Sequence, residues 1–212
     1  MIVSWHGHAC VSVSIDNYVI VIDPHDGTSI GLNRPAVKAD IVLSTHDHFD
    51  HNAVNVVSKD KTRIFKMFYG ESLIDNIKIA GIKTYHDKQQ GKRRGENAIY
   101  IIEVEAMRLA HLGDLGEVPP EGTLAKLSGV DLLMIPVGGT FTIEPSEAWT
   151  IIEKANPLNV MPIHYWTQGL TLPIKPVDEF LKYTSGYSVV KLDSNSFNPA
   201  TYKKSIILPK PP

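Results

Sequence analysis

Ile41-Val42-Leu43-Ser44-Thr45 runs straight into His46-Asp47-His48-Phe49-Asp50-His51. A short apolar, β-branched run reads as a strand, so this one stops at the rim of a sheet and delivers its polar residues there. Four of the six residues from 46 to 51, His46, His48, Asp50 and His51, are candidate metal ligands. His46 and His48 are two positions apart, and an extended backbone points both to the same side. Asp50 and His51 fall where the chain turns into a short helix expected near residues 51–58. One segment can therefore feed two adjacent metal ions.

Such a segment needs partners. The chain has nine histidines; besides His46, His48 and His51 they are His6, His8, His25, His86, His111 and His164. His86 ends the alternating stretch Ile77 to Tyr85. Asp114 lies in His111-Leu112-Gly113-Asp114, just after another strand-like run. His164 ends Asn159-Val160-Met161-Pro162-Ile163. Each sits at a strand-to-loop junction, which is how α/β folds gather distant residues at one sheet edge.

With these residues in view, the chain resembles the metallo-β-lactamase superfamily, whose signature is HxHxDH followed by a distal His, an Asp and a last His. Within it, the chain is similar to the small metal-dependent hydrolase branch, Zn-dependent and ascorbate-6-phosphate lactonase-like. The closer match rests on Trp5-His6-Gly7-His8-Ala9, Ile22-Asp23-Pro24, Gly113-Asp114 and Pro136 to Thr142, leading through Pro145 and Glu147-Ala148 to Pro162-Ile163-His164-Tyr165. It runs from about residue 2 to about residue 170. The motif is specific for the superfamily but does not fix a substrate, because one fold hosts many chemistries.

The resemblance implies a four-layer αββα sandwich, and the pattern of elements agrees with an α/β class. Strands are expected at 10–15 and 18–22, joined by a tight turn at Asp16-Asn17, then at 41–45, 62–67, 77–86, 97–104, 106–110, 131–136, 159–163 and 187–192. Helices are expected from Pro119-Pro120 to Leu127, from Pro145 to Asn156, with Ala148, Ile151, Ile152 and Ala155 on one face, and from Val177 to Tyr183. At 212 residues the chain reads as one domain, 1–212, with 209–212 a loose tail.

Composition narrows the partners. A net charge of −2 gives no global attraction to nucleic acid or anionic membrane, so a small-molecule substrate is expected and neither nucleic acid nor membrane. No apolar run reaches the roughly 18 residues that span a bilayer, and no signal peptide is expected. The single cysteine, Cys10, forms no internal disulfide and reads as a small core residue, which fits a cytoplasmic location.

The superfamily pattern implies that His46, His48 and His86 bind a first ion, that Asp50, His51 and His164 bind a second, and that Asp114 bridges them. The expected cofactors are two divalent metal ions, zinc first, with manganese and iron compatible with the same nitrogen and oxygen donors. A hydroxide between two such ions leaves about one positive charge to attract an anionic or carbonyl oxygen. The third ligand of the first site is open between His86 and His111, since both end strand-like runs. The branch keeps a His before a loop like Gly91 to Asn97, which favours His86 and leaves His111 to support a ligand or face substrate.

Asp50 and His8 are the expected catalytic residues, His8 as a pocket or proton-transfer group that the resemblance places near the metals. Asp23 is expected to orient a ligand by hydrogen bonding, and Tyr165 to line the pocket. Lys92, Arg93 and Arg94 are a basic stretch that could hold an anionic group if the loop folds over the site. The function expected is a binuclear metal-dependent hydrolase of a small anionic substrate, a phosphodiester ahead of a lactone, ester or amide, with a non-catalytic metal-binding module the last alternative. Di-iron oxygen or nitric-oxide reductases place a Glu where His48 stands.

Overall fold

The decisive strand is buried on both faces, and its alternation shows what lies on each side. The computed structural model of the protein describes residues 1–212. The chain begins with β1 (Ile2–Trp5), β2 (Val11–Ile15), β3 (Tyr18–Ile22), β4 (Ala39–Ser44), α1 (Val54–Val57) and β5 (Ser58–Lys66). In β3 and β4, Ile20, Ile22, Ile41 and Leu43 point into a main core of 46 buried residues. Val21 and Val42 point the other way, into a second cluster with Cys10 and Val57 of α1. Strands covered on both faces need apolar residues at every position, as parallel strands do.

The remaining elements are β6 (Gly70–Ile74), β7 (Ile77–Tyr85), β8 (Glu96–Val104), β9 (Met107–His111), α2 (Glu121–Leu127), β10 (Leu132–Pro136), α3 (Pro145–Ala155), β11 (Asn159–Ile163), α4 (Val177–Leu181), β12 (Ser188–Lys191), β13 (Ser196–Phe197) and β14 (Ser205–Leu208). The first sheet has the order β13-β1-β2-β3-β4-β5 and the second β12-β14-β11-β10-β9-β8-β7-β6. From β6 to β9 the second sheet is an antiparallel meander; β9, β10, β11, β14 and β12 are parallel. Crossovers α2 and α3 join the parallel strands, and the main core takes in Leu124 and Leu127 of α2 and Ala148, Ile151, Ile152 and Ala155 of α3. This is the αββα sandwich, with the helical layer over the first sheet reduced to α1.

Helix α3 shows why its ends fall where they do. Pro145 occupies the first helical position, Glu144 and Glu147 form a reciprocal capping box, and Asn156 ends the helix at φ 46°. Proline with its φ preset and a left-handed asparagine are the expected start and stop.

Several expectations need correction. The helix expected near 51–58 is the single turn of α1, because Ser58 already starts β5. Strands β1, β6, β13 and β14 are not apparent in the sequence pattern. The last of them, Ser205 to Leu208, lies between β11 and β12 with all four residues buried. The tail after it is fastened: Pro209 is buried and the Lys210 N–H donates to Ser194 O at 3.0 Å. No helix is long and apolar enough to cross a membrane.

The two sheets are also stitched by polar bonds at one edge. Ala98 N–H donates to Thr45 O at 2.8 Å and Tyr100 Oη to Ser44 O at 3.0 Å. His164 N–H donates to His8 O at 3.0 Å, and His111 Nε2 meets Ala9 O at 2.9 Å. Backbone approach there is close. A Cβ on Gly116 would collide with Asp87 N and the His86 carbonyl carbon. Gly116→Ala is therefore expected to lower stability by about 1–3 kcal/mol, the usual penalty for overpacking. Urea unfolding would read this; a variant as stable as wild type would contradict the close approach.

Candidate metal centre

That stitched edge is where the expected ligands converge. His46 to His51 follow β4, His86 follows β7, His111 ends β9 and Asp114 follows it, and His164 follows β11. His8 comes from the β1–β2 loop and Asp23 from the end of β3. All are carboxyl ends of strands, the edge at which open α/β sheets place their sites. Three of the residues, His8, Asp23 and His164, have φ of 53°, 49° and 51°. A non-glycine residue in that left-handed region costs roughly 1–2 kcal/mol, so the surrounding bonds hold each turn against its preference.

The donor atoms form two groups. The ring nitrogens of His46, His48 and His86 lie within 4.8 Å of one another, and so do the donors of His8, Asp50, His51 and His164. Asp114 Oδ2 stands between the groups. It is 3.2 Å from His86 Nε2 and 3.8 Å from His46 Nε2 on one side, and 3.3 Å from His51 Nε2 and 3.1 Å from His164 Nε2 on the other. His111 belongs to neither group.

The rings are oriented from behind. Asp23 Oδ2 faces His51 Nδ1 at 3.0 Å and accepts the Thr45 hydroxyl at 2.7 Å, while its Oδ1 accepts Thr45 N–H at 2.7 Å. A hydroxyl has one proton; once it is given to Asp23, Thr45 Oγ1 can only accept from His46 Nδ1, 2.9 Å away. Both rings then keep their protons on Nδ1 and turn a bare Nε2 into the site. Asn97, fully buried, holds the Asp114 loop: its Oδ1 accepts Asp114 N–H at 3.0 Å and its Nδ2 donates to Leu112 O at 3.0 Å. His111 does the same from below, accepting Gly113 N–H on Nδ1 at 3.1 Å with Nε2 against Ala9 O. Asn97 and Thr45 have no role in the sequence reading; the one available signal is a polar residue bordering an apolar run, after it at Thr45 and before it at Asn97.

The electrostatics ask for a cation. Burial pushes His46 and His48 below the usual histidine range, with neighbouring histidines adding to the effect. Burial and His164 take His8 down to about 3. Burial opposes ionisation of Asp50 and Asp114, yet His51 and His8 hold Asp50, and His164 and His51 hold Asp114, well below the normal carboxyl range. His51 is likewise disfavoured by burial but driven well above the normal range by Asp114 and Asp50. Two buried carboxylates thus demand positive charge between them. His46 Nε2 and Asp114 Oδ1 are also buried without any hydrogen-bond partner, which is rare for such atoms. Bare imidazole nitrogens, carboxylates and orphaned acceptors together fit divalent ions.

A cavity of about 230 Å³ opens over the two groups, lined by His48, Asp50, His86, Asp114 and His164 with Phe49, Arg94, Phe141 and Leu172. Arg94 reaches it from a clamped loop: Asp87 accepts the backbone N–H groups of Gln89, Gly91, Arg93 and Arg94 at 2.7–3.1 Å. The Arg94 guanidinium lies 4.8 Å from the Phe141 ring centre and makes no ion pair.

Some expected residues sit elsewhere. Lys92 and Arg93 are exposed and absent from the cavity lining; only Arg94 of the basic stretch turns inward. Tyr165 stacks on Trp5, ring centres 5.1 Å apart, because the backbone turn at His164 sends it into the core. His111 is buried beneath the Asp114 loop and faces no substrate space. His8 is fully buried with no face on the cavity, so it lacks the access a pocket residue needs. Phe49, Phe141 and Leu172 line the cavity without having been singled out; Phe49 was visible as a large apolar residue inside a polar motif.

Comparison with known proteins places this arrangement. Residues 2–164 match the family model described as beta-lactamase superfamily domain. The chain is 31% identical to a UPF0173 metal-dependent hydrolase of Thermococcus onnurineus, over 76% of this chain and 83% of that one. It superposes with a TM-score of 0.75 on a Thermotoga maritima protein assigned to the Zn-dependent hydrolases of the metallo-beta-lactamase superfamily, at 31% identity, covering 98% and 97% of the two chains. A metallo hydrolase from Ignicoccus hospitalis, at 21% identity, TM-score 0.63 and coverage of 78% and 82%, shares the fold.

Asp23→Asn keeps the shape of the residue but removes the charge that fixes His51 and Thr45. It is expected to weaken ion retention by about 10- to 100-fold, as loss of such outer partners does. Competition with a chelating dye would measure this, and unchanged retention would show that Asp23 orients nothing.

Proposed function

The chain belongs to the metallo-beta-lactamase superfamily, in its metal-dependent hydrolase branch, and on that premise we propose that it hydrolyses a small anionic substrate, a phosphodiester first, with two divalent ions. The observation that carries this reading is the place of Asp114, one carboxylate oxygen shared by two donor groups beneath a cavity. His46, His48 and His86 would hold one ion, Asp50, His51 and His164 the other, with Asp114 common to both. Zinc is the first choice for this donor set, with manganese and iron also compatible. When bound, such a pair lowers the pKa of water towards neutrality and withdraws charge from a reacting oxygen.

The chain's own residues supply binding and orientation. Asp50 lines the cavity and is kept ionised, which suits an acceptor that aligns the attacking water. Arg94 is a cation at the mouth with no carboxylate to neutralise it, and guanidinium binds phosphoryl and carboxylate oxygens in pairs. Its backbone is held by Asp87 and its side chain by Phe141, so little freedom is lost when an anion arrives. Phe49, Phe141 and Leu172 give the cavity an apolar wall, which favours a substrate with an apolar part beside its anionic group. The same wall would serve a lactone, ester or amide, the alternative substrates of the same site.

Elemental analysis of saturated protein is expected to find two ions per chain; saturation at one would end the binuclear reading. His86→Ala is expected to lower the metal content and His111→Ala to leave it, and the reverse result would exchange their roles. A nitrophenyl phosphodiester is the expected substrate. Arg94→Ala should reduce its turnover efficiency about 10- to 100-fold, the worth of one charge-assisted hydrogen bond of about 1.5–3 kcal/mol, while Lys92→Ala and Arg93→Ala should not. Turnover of lactones or esters without phosphodiesters would select the alternative, and two bound ions without any turnover would leave a metal-binding module.

A further inference from the structure

His8 is the one member of the donor cluster for which the proposed chemistry has no use. It is fully buried, it does not border the cavity, and it comes from a loop outside the HxHxDH segment. Yet its Nε2 is 3.1 Å from Asp50 Oδ2 and 3.2 Å from His51 Nε2. We propose that His8 is a further donor to the ion held by Asp50, His51 and His164. With Asp114, that ion has five protein donors and its neighbour four. The inference rests on the two-ion reading above.

Spacing is the first support. Donors about 2.0–2.2 Å from one ion, at angles between a right angle and the tetrahedral one, are roughly 2.9–3.5 Å apart. His51 Nε2 stands 3.5 Å from Asp50 Oδ2 and 3.3 Å from Asp114 Oδ2, and His164 Nε2 stands 3.1 Å from Asp114 Oδ2. The separations of His8 from its neighbours fall in the same interval. The second support is the lone pair. Asp23 holds one His51 proton on Nδ1, so the lone pair that His51 would offer an ion is on Nε2, and His8 Nε2 faces the same space from 3.2 Å away. The third is the backbone. His8 is held at φ 53° by a carbonyl that accepts from both Trp5 Nε1 and His164 N–H, each at 3.0 Å. That pair of bonds ties His8 directly to the residue bearing a neighbouring ligand and turns its ring inward. A hydrogen bond to Asp50 alone would need no such approach to His51.

Five donors suit an ion that accepts five or six ligands, manganese or iron(II), whereas three imidazoles and one carboxylate suit tetrahedral zinc. The two positions are thus expected to differ in metal preference.

The test is a crystal structure of metal-loaded wild-type protein, together with cobalt(II) absorption spectra and ion affinities of wild type, His8→Ala and the control His6→Ala. The expected structure has His8 Nε2 within about 2.3 Å of one ion. His8→Ala is expected to intensify the cobalt bands, as coordination number falls, and to weaken one ion of the two by more than about 100-fold, beyond the loss of an outer hydrogen-bond partner. His6→Ala should change neither. His8 Nε2 more than about 3 Å from both ions, or a cobalt spectrum unchanged in His8→Ala, would overturn the assignment and leave the two-ion reading standing. A single ion bound with His8 as ligand would do the opposite. Protein that takes up no ion would overturn both.

Discussion

Everything at the site depends on where two protons sit, and one carboxylate decides it. Asp23 takes the His51 proton directly and the His46 proton through the Thr45 hydroxyl. An imidazole has two nitrogens and offers a lone pair only from the one without the proton. Fixing both rings from the rear therefore converts two ambiguous side chains into two aimed donors. Asp23 can do this because Thr45, its main partner, is the last residue before the ligand segment and is itself tied across the sandwich by Ala98 N–H. The orientation of the ligands and the alignment of the two sheets are consequently one problem, solved by the same few residues.

The charge at the centre follows from that arrangement. Asp50 and Asp114 are buried among bare nitrogens, and without a cation they force a proton onto His51. Positive charge is thus favoured inside the region, so the fit to a metal is a property of the fold's interior and not of a surface patch. Asp114 can be shared between the two groups because Asn97 and His111 hold its backbone from two sides. Replacing residues of the cavity wall would leave that support intact, which separates the donor cluster from the wall above it.

Much of this was legible in the sequence, for reasons that can be stated. Strands β3, β4, β10 and β11 are buried on both faces and read as apolar runs, and all but β10 lead into a polar residue that the sheet edge then collects. Helix α3 carries its start, face and stop in Pro145, Ala148 to Ala155 and Asn156. Strand β14 escaped because Pro209 and the lysines beside it mask a four-residue run whose neighbours are contributed by strands far away in sequence. The reach of individual side chains also escaped. Lys92, Arg93 and Arg94 are equivalent as letters, and only a clamp made by Asp87 with backbone groups decides that Arg94 alone turns inward. Tyr165 follows a ligand in sequence but leaves the site because His164 adopts a left-handed turn, a conformation that histidine does not advertise.

The Asp87 clamp has a wider bearing. Its four bonds all go to main-chain N–H groups, so most side chains of the loop can change without undoing it, provided none of the four donors is proline and Gly91, at φ 78° with Gly95 O 2.8 Å from where a Cβ would sit, stays glycine. The residues from 88 to 94 other than Gly91 can therefore be exchanged without disturbing His86, which precedes them. A scaffold of this kind separates inheritance from adaptation. The candidate metal centre is held by its buried hydrogen bonds, while one short rim beside it can vary a residue at a time.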